Sequence, residues 1–226
     1  MLHLLLLATV LRTSVMDPTK NVPDTMSVRT VVGTATVSTH AGTKGPHRIE
    51  GMLLGGSTIA TDGFITTSDK SGLVLDLPDG CSVWVGPNTR IDFSPPFSDS
   101  HNWTLNGGLI IAKISDAGAI HTFEVRTQIG DARIKHGAVR VAQHQLKTAI
   151  RNATLEVGVA DGTCEYTAWA RPTKDGEGLI KAGDEVVASI SPQSLSGTVP
   201  GPNAIIHSLS PASETEIKEA LKHLAR

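Results

Sequence analysis

The chain has 226 residues, with 39% hydrophobic and 19% charged side chains, and 20 Lys plus Arg stand against 22 Asp plus Glu for a formal net charge of -2. It is too apolar and too weakly charged for a disordered protein, and long enough for a generous β domain with an appendage. Scattered basic residues at near-neutral charge provide no electrostatic footprint for nucleic acid, so none is expected as a partner.

Leu2 to Leu11 form an apolar run interrupted by His3, Ala8 and Thr9, about the length of a signal-peptide core and too short to span a bilayer. Residues 1–28 are therefore expected to be a leader, and the chain to be exported to the periplasm or cell exterior. No Lys or Arg precedes the run, and no good small-residue cleavage site appears before Asp17 and Pro18. No later stretch is apolar enough to cross a membrane, so no span is expected in the mature chain.

From 29 to 190, short β-patterned runs alternate with turn residues. Val31 to Val37 opens the series, and Ile59 to Thr67 follows with Asp62-Gly63 inside it. Gly72 to Leu77, Pro78-Asp79-Gly80 and Cys81 to Val85 then read as strand, tight turn, strand, because Gly takes positive φ without steric cost. Gly86-Pro87-Asn88 turns the chain before Thr89 to Phe93, and 94–100 reads as a loop. Trp103 to Leu105 and Leu109 to Ile114 flank Asn106-Gly107-Gly108, which predicts another hairpin. His121 to Thr127, Ala132 to Lys135, Ala138 to Ala142, Thr154 to Val159 and Cys164 to Trp169 continue the pattern. Gly130-Asp131, Gly137 and Asp161-Gly162 are expected to break it. The spacing predicts an all-β fold, sandwich-like or a short solenoid-like roll of many short strands, rather than alternating βα units.

Residues 191–210, rich in Ser, Pro and Gly, read as a linker. A C-terminal amphipathic helix is expected over 211–226, with Ser213 and Glu216 as a capping box and Ile217, Leu221 and Leu224 on one face. So short a helix needs a partner surface.

Chemistry is sparse. The sequence lacks GxSxG, GxxxxGK[ST], HExxH and a helix-opening GxGxxG, and no catalytic, cofactor-binding or metal-ligating residue is assigned. His136 and His144 read as ordinary polar histidines, since a shared face would require extended chain through Gly137. Asp76, Asp79 and Asp92 are close in sequence, but strand and turn roles explain Asp76 and Asp79 better than a glycosidase pair does. Cys81 and Cys164 lack CxxC spacing, which argues against zinc, and leave one disulfide open. Asn102-Trp103-Thr104 and Asn152-Ala153-Thr154 match the glycosylation sequon. Trp84, Trp103 and Trp169 are candidate exposed aromatics that could stack on sugar rings if they shared a face, which keeps a glycan ligand as the alternative.

Six blocks in order resemble the FecR-type domain. They are Gly63-Phe64-Ile65-Thr66-Thr67; Gly72 to Gly80 with Val83 to Ile91; Leu105 with Gly108-Leu109-Ile110; Phe123 to Thr127 with Val139-Arg140-Val141; Leu155 to Gly162; and Ala182-Gly183-Asp184-Glu185-Val186. The resemblance covers 31 to about 190. It marks Asp79, Gly80, Asn88, Thr89, Gly137, Gly162 and Gly183 as family-matching turn residues, with Ala138 where the family usually has Thr. It implies an extracytoplasmic, non-catalytic β module with a protein partner of the cell envelope, engaged through β edges or loops such as 94–102. Signal-transducing members carry an anti-sigma segment and a membrane helix before the β domain; neither pattern is found here, which implies a stand-alone form.

Overall fold

A computed structural model describes residues 25–40, 48–94, 100–115, 122–145, 153–168, 177–189 and 203–225. The alternating apolar pattern becomes fifteen strands. The first eight are β1 (Thr25–Val32), β2 (Ala35–His40), β3 (Arg48–Met52), β4 (Thr58–Ala60), β5 (Gly63–Thr67), β6 (Gly72–Asp76), β7 (Ser82–Val85) and β8 (Arg90–Phe93). Then come β9 (Ser100–Ile114), β10 (Thr122–Arg126), β11 (Gly130–Gln145), β12 (Ala153–Ala168), β13 (Glu177–Lys181), β14 (Asp184–Ser189) and β15 (Asn203–Ser208). One helix, α1 (Pro211–Leu224), closes the order.

All fifteen strands belong to one hydrogen-bonded network. It folds into two layers because three long strands, β9, β11 and β12, contribute one half to each. The first layer runs β4-β1-β6-β7-β9-β11-β12-β14-β15 and uses the C-terminal halves of β9 and β11 with the N-terminal half of β12. The second runs β3-β2-β5-β8-β9-β10-β11-β12-β13 with the complementary halves, and only β9 with β10 is parallel. Inward residues of both layers, among them Leu75, Val83, Ile110 and Val141 from the first and Ile65, Ile91, Phe123 and Ile134 from the second, form one core cluster. Each such aliphatic side chain contributes about 1.5–3 kcal/mol by leaving water.

The expected hairpin at Asp79-Gly80 is present: β6 pairs β7, the Leu77 amide donates to the Cys81 carbonyl, and Gly80 has φ 84°. The expected breaks further on are corrected. β9 continues through Asn106-Gly107-Gly108, β11 through Gly137, and β12 through Asp161-Gly162. Gly137 and Gly162 face each other across β11 and β12, between two register shifts. Both have positive φ, and a Cβ on Gly137 would lie 2.1 Å from the Asp161 carbonyl oxygen, so the backbones touch where the strands bend. Glycine here bends a strand between layers instead of ending it.

The chain boundaries also shift. Thr25 to Val28 lie in β1, with Met26 and Val28 buried, so the segment read as leader overlaps the fold at its end. Asn203–Ser208, inside the region read as linker, is a strand paired to β14. Helix α1 forms, but its cap is Ser210, whose side chain accepts from the Ser213 amide, with Pro211 in the first turn. Glu216 does not close a capping box; it reaches Arg140 instead. Among the described residues no helix is long and apolar enough to cross a membrane.

Candidate functional site

Strand alternation puts one residue of each first-layer strand in a row on its outer face. Cross-strand register aligns Val74, Trp84, Ile111, Arg140, Gly158, Glu185 and His207. Helix α1 lies over this row. Its Ile217 and Ala220 join Ile111 in a small apolar cluster distinct from the main core, with Trp84, Leu109, Ala160, Leu209 and Leu221 packed around it. Gly158 belongs there because a Cβ would stand 2.7 Å from Leu209 Cδ1, and Leu209 could not reach its place.

Polar contacts fasten the helix at both ends. Near its start Arg140, 4% exposed, donates from Nε to Glu216 at 2.7 Å and from Nη1 to Glu156 at 3.0 Å, with Glu185 at 3.5 Å. Glu185, 2% exposed, also accepts from the Ser210 amide at 3.1 Å and from the Ser213 hydroxyl. His144 lies 3.4 Å from Glu156 and, with Arg140, draws that carboxyl down to about 2. The same contact pushes His144 up. Near the other end Arg29 donates from Nη1 to the Leu224 carbonyl at 2.7 Å while pairing with Asp76, and Trp84 stacks on His223 at 4.5 Å with rings 8° from parallel.

Beside the helix start lies a cleft of ≈ 800 Å³ lined by Thr66, Asn88, Arg90, Asn106, His144 and Glu216 among others. Arg90 stands over the Phe64 ring at 4.1 Å and near Asp92, and Asn106 donates to Asp92 at 2.7 Å. The lining mixes hydrogen-bonding side chains with Pro87, Gly107, Gly108 and Leu109 on strand ends and a turn.

The turn residues named from the sequence fall in separate places. Asn88 has φ 51° and donates to Asp69, beside the cleft. Thr89 is buried, its hydroxyl accepting from the Leu109 amide at 2.9 Å and its own amide donating to Thr67. Gly183 has φ 90° between β13 and β14. Asp79 does more than turn the chain. It accepts from the Cys81 amide and meets His101 at 3.1 Å, both side chains 2% exposed. Burial raises its carboxyl, but the bonds from His101 and the Cys81 amide hold it below the ordinary value.

The aromatic platform is corrected. Trp103 is buried against Phe93 and Phe123, and Trp84 is half-buried beneath α1, so neither is an exposed stacking surface. Trp169, residues 95–99 and Asn152 lie outside the described residues, while 100–102, read as the end of a loop, already belong to β9 with His101 buried. Asp76, Asp79 and Asp92 do not converge, each having its own partner in Arg29, His101 and Asn106. Cys81 and Cys164 are free thiols, which burial pushes up to about 12. His136 is exposed, and among the described residues no cluster of His, Cys, Asp or Glu could hold a metal.

The Arg140 cluster was not read from the sequence. Its carboxylates lie 16, 45 and 76 residues away, so no local motif announces it. The available signal was a charge facing out of a strand between Val139 and Val141.

No protein-family model matches the chain, and no curated protein matches it. Among solved structures it is similar to two crystal structures of a candidate anti-sigma factor from Parabacteroides distasonis, determined at 1.65 and 2.50 Å. The TM-scores are 0.51 and 0.50 at 16% identity, covering 67% of this chain. The chain shares their fold. It spans 62% of the length of each, less than two thirds of those proteins.

Proposed function

We propose that the chain is a non-catalytic, FecR-like β module, working outside the cytoplasm, that contacts another protein in envelope signalling or surface assembly. The observation that carries this reading is the fold shared with the anti-sigma factor structures. The ordered blocks from Gly63 to Val186 add support from an independent direction. The scattered carboxylates favour binding over catalysis, since a hydrolytic pair must converge on one bond. The contact surface is the cleft edged by Asn88, Arg90 and His144, with the adjoining helix.

Affinity capture with the whole chain from envelope extract, followed by cross-linking and mass spectrometry, tests this. The expected result is a specific protein cross-linked beside Arg90 and weakened at least tenfold by Arg90→Glu, about 1.4 kcal/mol. Retention on a glycan array with no protein partner would replace the reading by a carbohydrate-binding one. Cell fractionation finding the chain in the cytoplasm would remove the envelope role.

A further inference from the structure

A sheet edge offers unpaired backbone donors and acceptors to any passing strand, and folded proteins guard such edges with shortness, charge or proline. Among the described strands this molecule has four edges: β4 and β15 in the first layer, β3 and β13 in the second. β4 has three residues. β3 carries Arg48 and Glu50, and β13 carries Glu177 and Lys181. β15, Asn203-Ala204-Ile205-Ile206-His207-Ser208, has six residues, no Lys, Arg, Asp, Glu or Pro, and two adjacent isoleucines that are 61% and 51% exposed.

Ile206 is not a stray surface residue. Register places it at the end of the inward row Val85, Ile110, Val141, Val157 and Val186, all buried. The core row therefore runs out to the edge and stops half-exposed. Among the described strands none lies beyond β15, and one further strand beside it would continue the row.

We propose that this strand is β15 of a second copy of the chain, antiparallel across a two-fold axis with Ile206 opposite Ile206. Opposed residues in an antiparallel pair share a face, so the inward row of one copy runs into that of the other. Ile205 then stands opposite His207 on the outer face, and Ala204 opposite Ser208. Like meets like across a two-fold, so a charged edge would repel itself, whereas this one carries no acid or lysine. The acids of β14 are Glu185, level with His207 and turned under α1 to Arg140 and Ser213, and Asp184, level with Ser208, so the two copies of each lie on opposite sides of the axis. Six residues give an edge of about 20 Å, a contact smaller than standard interfaces, so the dimer is concentration-dependent. The dimer stands whether or not the envelope reading above holds.

Sedimentation of the whole chain tests it. The weight-average mass should rise from one chain toward two between about 10 µM and 1 mM, the range of affinity such a small contact supports. Ile206→Lys should raise the dissociation constant at least tenfold while far-UV circular dichroism is unchanged. Ile206→Cys should give an oxidised dimer, because directly opposed Cα atoms lie about 4.5–5.5 Å apart, within disulfide reach, and it retains an apolar side chain should the lysine variant misfold. A single-chain mass throughout would overturn the proposal, as would a dimer indifferent to the folded Ile206→Lys variant or an Ile206→Cys protein that forms no cross-link. A monomer that instead binds an extended peptide from another protein would also overturn it.

Discussion

Between the two layers Trp103, Phe93 and Phe123 pack edge to ring within a continuous apolar cluster, whereas under α1 a few aliphatic side chains are ringed by Arg140, Arg29 and four carboxylates. The first region owes its stability to area removed from water, which is non-directional and large. The second depends on directed contacts that lose their value when one partner leaves. The sandwich should therefore survive loss of the helix, while the helix cannot survive loss of the sheet face.

Trp103→Ala breaks the comparison from the core side. It empties a fully buried site against two phenylalanines and should cost about 4 kcal/mol of global stability, seen as a lower urea midpoint at unchanged slope. Amide exchange should accelerate in both layers together, because no part of the core is independent of it. Loss confined to β8 and β9 would show that the layers unfold separately.

Arg140→Met tests the other side with a smaller and more local effect. It leaves Glu185 buried among α1 and β14 without its cation, a cost of about 3 kcal/mol. Exchange should rise over 211–224 while core amides of β11 and β9 keep their protection. Adding Glu185→Gln should restore much of the helix protection, since the unpaired charge carries the penalty. No recovery would move the penalty to Glu156 and Glu216, the other carboxylates that Arg140 binds.

The sequence made the layers easier to read than their connections. Alternation exposed the strands, and Asp79-Gly80 marked a true hairpin because two short runs flank it with matching inward residues. Gly107, Gly137 and Gly162 carry the same local signal, yet the chain runs on through each. A positive φ serves a turn and a strand bend equally well, and only the long-range pairing of Gly137 with Gly162 distinguishes them. β15 was hidden in its Ser, Pro and Gly surroundings, with Ile205-Ile206 as the sole clue. The candidate site was less legible still. Asn88 marked one rim of the cleft, but Arg140, Glu156, Glu185 and Glu216 come from four elements, and Glu216 had a plausible local role as a capping residue.

Protons give the finest test of the helix attachment. Glu156 is drawn from its ordinary 4.5 down to about 2 by His144 and Arg140, so its contribution to folding is fully present above about 4.5 and disappears as pH falls toward 2. His144 is raised above its ordinary 6.5, so its contribution is present below that value and fades as pH climbs through the raised one. Attachment of α1 should thus be firmest between about 4.5 and 6.5, weakening slightly on the alkaline side and more on the acid side. A Trp84 fluorescence titration reads this directly, because the indole loses its His223 neighbour when the helix lifts. Glu156→Gln should remove both slopes while leaving the core transition in place. An acid-side slope that persists in that variant would transfer the pH dependence to Asp79, whose carboxyl is held below its ordinary value, and with it to the interior instead of the helix.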